Sequence, residues 1–127
     1  HQGPRKMTKT ILIVEDNELN MRLINDVLQA ADYSTVCARS GEEALEKFQD
    51  RRPDLILMDI RLPGMSGLEA VARIRETDSL KLTPVIAVTA YAMNGDETEI
   101  RAAGCDGFIE KPFSVETLLG TIAKLLT

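Results

Sequence analysis

Five short runs rich in β-branched residues alternate with five amphipathic stretches, and this alternation constrains the fold more than any other feature of the chain. The runs predict strands over Thr10–Val14, Ser34–Ala38, Asp54–Met58, Pro84–Thr89 and Gly107–Ile109. The first, third and fourth are nearly all apolar, as central strands of a parallel sheet covered on both faces must be. The intervening stretches predict helices over Glu18–Ala31, Glu42–Asp50, Gly67–Arg75, Gly95–Ala103 and Val115–Leu126. The first helix is expected to pack through Leu19, Leu23, Ile24, Val27 and Leu28, and the second through Ala44, Leu45 and Phe48. The third is expected to pack through Leu68, Val71, Ala72 and Ile74, and the last through Leu118, Leu119, Ile122 and Leu126. Ser114 is the expected cap of the last helix, and Gly104 the expected stop of the fourth. Strict βα alternation implies a parallel sheet with right-handed crossovers and helices on both faces. Such sheets bind ligands beyond the carboxyl ends of their strands, where the strand order reverses.

Composition then narrows the chemistry. The only histidine is His1, so a Ser-His-Asp triad, a Cys-His pair and a histidine metal site are all excluded for the body of the chain. Cys37 and Cys105 lie far apart and match no zinc or redox spacing, and are expected to be free thiols in a reducing compartment. A net charge of −5 disfavours a nucleic-acid surface, and no apolar run approaches the roughly 20 residues needed to cross a bilayer. Residues 1–6 are expected to be an expression remnant, with one domain over residues 7–127.

Polar side chains collect where the fold places its binding edge. The first strand runs into Glu15-Asp16, the third into Asp59, the fourth ends at Thr89, and the fifth leads to Lys111-Pro112. Taken singly, each has a bland explanation: a helix cap for Asp16, a strand end for Thr89, a solvated surface for Lys111, a turn for Pro112. Together, at successive strand ends, they form a specific signal. Two carboxylates about 4 Å apart repel by about 1 kcal/mol in water and by about 4 at an effective dielectric near 20. Clustering Glu15, Asp16 and Asp59 therefore calls for a cation, and an all-oxygen set favours Mg²⁺ or Mn²⁺ over zinc. A carboxylate can serve as a nucleophile and form an aspartyl phosphate, with Lys111 and Thr89 supplying charge and a donor to its oxygens. There is no G-x-x-x-x-G-K-[ST] loop to hold a nucleotide.

Ile13-Val14-Glu15-Asp16-Asn17, Leu57-Met58-Asp59, Leu62-Pro63-Gly64-Met65-Ser66-Gly67, Val88-Thr89-Ala90 and Lys111-Pro112 carry a resemblance to the response-regulator receiver domains of two-component signalling, from Thr10 to Leu126. The resemblance implies a flavodoxin-like (βα)5 fold with strand order 2-1-3-4-5. It implies that Asp59 takes phosphate from a sensor histidine kinase or a phosphotransfer protein. Asp16, Asp59 and the backbone carbonyl of Arg61 would bind Mg²⁺ (or Mn²⁺) directly, with Glu15 acting through water. Thr89 and Lys111 would hold the phosphoryl oxygens, and the Lys111–Pro112 peptide would be cis. Phe108 matches the family's switch aromatic, which turns inward as Thr89 shifts, and Glu15-Asp16 stands where Asp-Asp is commoner. Glu15 to Met21, Tyr91 to Glu97 and Gly104-Cys105 resemble single-domain members of the family, while a similar Glu-Asp-Asn-x-x-Asn pattern occurs in receivers attached to hybrid histidine kinases.

The expectation is thus a cytoplasmic bacterial signalling protein rather than an enzyme, with slow self-dephosphorylation tuned by Arg61 and Tyr91. Its output would be a phosphorylation-dependent protein contact, through the face around Ala92–Ala103, Phe108 and Ser114–Leu126 or through the first helix. In that helix Asn17 and Asn20 either meet a partner or simply cap and solvate it. A receiver cut from a hybrid kinase or a longer regulator is the alternative. An aspartyl phosphatase lacks a substrate cap here, a silent binding module would not need the acidic set, and a flavin phosphate would be repelled by the acidic first loop.

Overall fold

The computed structural model describes residues 8–78, 82–90 and 96–126. Every expected element within them is formed. The strands are β1 (Thr10–Val14), β2 (Ser34–Ala38), β3 (Leu55–Asp59), β4 (Val85–Thr89) and β5 (Gly107–Glu110). The helices are α1 (Glu18–Ala30), α2 (Gly41–Asp50), α3 (Gly67–Thr77), α4 (Asp96–Ala103) and α5 (Val115–Leu126). All four strand pairings are parallel, in the order β2-β1-β3-β4-β5. The order reverses at β1, so the switch point lies between β1 and β3.

Alternate residues along each strand serve opposite faces, and this sorts the core into two layers. Leu12, Val14, Ile56, Met58, Val85 and Ala87 face Ala44 and Phe48 of α2, Val71 and Ile74 of α3, and Ile100 of α4. Ile11, Ile13, Leu55, Leu57, Ile86 and Val88 face α1 and α5 through Met21, Ile24, Leu28, Leu118 and Ile122. Burial of a Leu or Phe side chain in such a layer contributes roughly 1.5–3 kcal/mol each, so the two layers fix the sheet firmly beneath the loops.

Several boundaries differ from those expected, each for a local reason. Asp54 is not part of β3: its carboxylate accepts a hydrogen bond from the Thr10 amide at 2.7 Å and so brackets the start of β1. Pro84 has no N–H to give a ladder, though its carbonyl accepts from the Ile56 amide at 3.0 Å. Two more substantial corrections concern helix faces. Leu19 and Leu23 of α1 are 64% and 55% exposed, and the buried residues there are Met21, Ile24 and Leu28. On α3, Ala72 is exposed while Ala70 is buried, because only positions three or four apart from Ile74 and Val71 share the core stripe. Ser114 does cap α5, its hydroxyl accepting from the Thr117 amide at 3.0 Å. Gly104 ends α4 in the left-handed region, at φ 113°. Gly95 and Tyr91 lie outside the described residues.

Candidate functional site

Four backbone hydrogen bonds carry the sheet's order past its strand ends and so position the polar groups. The Glu15 amide donates to Ala38 at 3.0 Å, and that of Ile60, just after Asp59, to Val88 at 3.1 Å. The Lys111 amide donates to the Thr89 carbonyl at 2.7 Å. The Gly67 amide returns to Ile60 at 2.9 Å, seating the start of α3 directly on the end of β3. No side chain fits there: a Cβ on Gly67 would lie 2.1 Å from the Asp59 carbonyl oxygen. Glycine at 67 is therefore a requirement of the site.

Carboxylate oxygens of Glu15, Asp16 and Asp59 lie within 4.8 Å of one another, with Asp16 exposed and the other two buried. Asp59 accepts from the Arg61 amide on Oδ1 at 3.0 Å, and its Oδ2 lies 3.4 Å from the Lys111 ammonium. The same ammonium is 3.1 Å from Glu15 Oε1, while Glu15 Oε2 accepts from the Asn17 amide at 3.2 Å. Lys111 thus bridges the two buried carboxylates. Burial, then the neighbouring Asp59, raise the Glu15 carboxyl above its ordinary range. Burial pushes the Lys111 ammonium down, but the facing charges of Asp59 and Glu15 outweigh it and hold Lys111 above its ordinary value. Thr89 is buried at the end of β4, level with Glu110 of β5. The Lys111–Pro112 peptide is cis, and Phe108 is half-buried against the layer that holds α2, α3 and α4.

A cluster of one ammonium and three carboxylates still carries excess negative charge, all of it on oxygen. That donor set fits a hard divalent cation of the Mg²⁺ kind and offers nothing to a soft metal. The family model for the response regulator receiver domain matches residues 11–123. The chain belongs to that family. The receiver is 52% identical, over 94% of its own length and 98% of theirs, to the polar-differentiation response regulators DivK of Brucella ovis and Brucella melitensis. Its fold matches the chemotaxis protein CheY4 of Vibrio cholerae with a TM-score of 0.90 at 34% identity, covering 94% of this chain and all of that one. It also matches the receiver domain of a sensor histidine kinase from Pseudomonas aeruginosa, solved with a magnesium ion coordinated in its active-site cleft. There the TM-score is 0.86 at 32% identity, over 94% of this chain and 98% of that one. It is thus a receiver of two-component signalling.

This receiver's site bears out the capping reading of Asn17 and adds one feature that escapes a linear reading. Asn17 is the N-cap of α1, accepting from the Asn20 amide at 2.9 Å, so its side chain is engaged in the fold. Beside Lys111 opens an apolar groove of about 550 Å³, lined by Leu23, Ile24 and Val27 of α1, Phe113, and Val115 and Leu118 of α5. The sequence signals of the groove were Leu23 and Phe113, apolar residues close to the acidic and Lys-Pro motifs. Cys105 is buried and its thiol is pushed up to about 12 by that burial, so it is not a nucleophile for this site.

Proposed function

We propose that Asp59 is the phosphoacceptor of this receiver and that its phosphorylation, with Mg²⁺ (or Mn²⁺) bound, controls contacts with other proteins. The observation that carries the reading is the placement of Asp59: a buried carboxylate at the end of a central strand, with an ammonium on one oxygen and acidic neighbours beside it. Asp16 and Asp59, the Arg61 carbonyl, and Glu15 through water are the residues that would hold the cation. When bound, it neutralises the clustered carboxylates and the incoming phosphoryl oxygens.

The rest of the chemistry belongs to the chain. A carboxylate oxygen of Asp59 attacks phosphorus in a phosphohistidine of the donor. A P–O bond forms, the P–N bond breaks, and the electron pair leaves with the ring nitrogen, which takes a proton from solvent. Lys111, already 3.4 Å from Asp59, meets the charge on the transferred group, and the Thr89 hydroxyl donates to another of its oxygens. Arg61, through its amide, keeps Asp59 oriented. The acyl phosphate then hydrolyses slowly to inorganic phosphate and free Asp59, without a substrate site for other esters.

The donor is a sensor histidine kinase or a phosphotransfer protein of the cytoplasm, and the groove between α1 and the start of α5 is where it docks. Its apolar walls suit a helix, and its rim includes Lys111 itself, so a bound helix lies against the reacting centre. A phosphoryl group brings about −1.5 to −2 charges. Thr89 and Lys111 move toward it, Phe108 follows inward, and the α4-β5-α5 face shifts between two states whose populations phosphate biases. That face, or α1, meets the downstream protein.

Incubation with acetyl phosphate and Mg²⁺, followed by intact mass, tests the reading. One added phosphoryl group, lost in Asp59→Asn, is the expected result. No gain with any phosphodonor overturns it.

A further inference from the structure

At the edge of the sheet opposite the acidic cluster, charged side chains form a continuous chain through the base of the molecule. The Arg75 guanidinium, at the last turn of α3, is nearly buried. Its Nε and one terminal nitrogen donate to the Gly104 carbonyl at 3.0 and 2.8 Å, just past the end of α4. That second nitrogen also reaches Asp106 at 2.9 Å, at the entry to β5. The other terminal nitrogen donates to Asp78 at 2.9 Å and to the Thr83 carbonyl at 2.7 Å. Asp78 is 2% exposed and accepts in addition from the Leu82 and Thr83 amides, while Arg52 lies 3.4 Å from its other oxygen. Asp106 takes the Val85 amide at 2.8 Å. One side chain therefore ties the ends of α3 and α4 to the starts of β4 and β5. The fit is close, for a Cβ on Gly104 would lie 2.8 Å from Arg75 Cγ.

Nothing comparable holds the rest of α4 among the described residues. Its one residue in the core is Ile100, and the Arg101–Glu97 pair at 3.3 Å is exposed and lies within the helix. We propose that Arg75 is the pivot of α4: a positioning residue that fixes the helix's C-terminal end, so that motion prompted at Thr89 is confined to the other end. This rests on the two-state reading of the α4-β5-α5 face given above. A helix clamped at one end converts a small displacement at the sheet's carboxyl edge into a swing, instead of a translation that would strip Ile100 and Cys105 from the core. The clamp thereby sets which part of the face a partner sees change.

The test is residue-resolved amide hydrogen exchange with and without beryllofluoride and Mg²⁺, a mimic of the phosphoryl group, on wild type, Arg75→Met and Asp106→Asn. Asp106→Asn keeps an oxygen for the Val85 amide and so guards against a variant that fails to fold. In wild type, exchange should change by about 2- to 30-fold at residues 97–100 and stay level over residues 101–106. In the variants the change should spread through residues 101–106. An equal change along all of α4 in wild type, or variants that keep the wild-type pattern, overturns the pivot while leaving the two-state reading intact. A response confined to the acidic pocket overturns both.

Discussion

Gly67 shows how one residue with no functional group shapes the reactive one. Its amide binds Ile60, and a methyl group in place of its hydrogen would meet the backbone of Asp59 and Ile60, at 2.1 and 2.7 Å, rather than a side chain that could turn away. Gly67→Ala must therefore part α3 from β3. The expected loss of stability is roughly 1–3 kcal/mol, the usual range for forced overpacking, read as a lower urea midpoint at unchanged slope. Phosphorylation by acetyl phosphate should slow in the folded fraction. A variant as stable and as fast as wild type would show that the junction yields easily. The same scale shows what the sequence concealed. Asp59, Glu15 and Lys111 stand out in the chain because chemistry requires their types, whereas Gly67 does its work through a contact that only the folded backbone defines.

At the scale of elements, α1 was the least legible. It carries two neighbouring apolar stripes, and a periodicity of three to four does not tell which one is buried. Met21, Ile24 and Leu28 enter the core, while Leu23 and Val27 turn toward the groove. Leu23→Gln should leave stability within about 0.5 kcal/mol, as for other surface changes. It should slow transfer from a phosphorylated histidine protein by about tenfold, the scale of a single contact worth 1.4 kcal/mol, and leave acetyl phosphate labelling unchanged. Equal rates from the protein donor would place docking elsewhere. The α3–β4 junction makes a prediction with pH. Burial opposes ionisation of Asp78, but the Thr83 and Leu82 amides with Arg75 and Arg52 outweigh it and hold the carboxyl below its ordinary value of 3.8. A depressed folded pKa stabilises the protein above the unfolded value, and this contribution is lost as pH falls through the folded one. Asp78→Asn should thus cost roughly 1.5–3 kcal/mol at pH 7, as for hydrogen bonds to charged groups. The gap to wild type should close below pH 3.8 in denaturant titrations. A gap independent of pH would mean that Asp78 acts through shape rather than charge.

For the whole molecule, the strand order, the two-layer core and the acidic edge were largely legible, because each follows from alternation and from where parallel strands end. Charge balance across the site was not, since it depends on Lys111 folding back over Glu15 and Asp59 from a segment remote in sequence. The net negative charge that remains makes folding responsive to cations. Mg²⁺ should raise the melting temperature in a saturable way, by about 1.4 kcal/mol of stability at ten times Kd, with no equal effect from sodium at matched ionic strength. The gain should vanish in Asp16→Ala, and a gain that persists there would move the cation off the acidic cluster.

The central claim is that Asp59 itself carries the phosphoryl group. Borohydride reduction of the acetyl phosphate-treated protein turns an aspartyl phosphate into homoserine, which peptide mass mapping locates. Homoserine at position 59, formed only with Mg²⁺ present, is the predicted result; homoserine at Asp16 or at any other carboxylate, with Asp59 intact, would contradict the account.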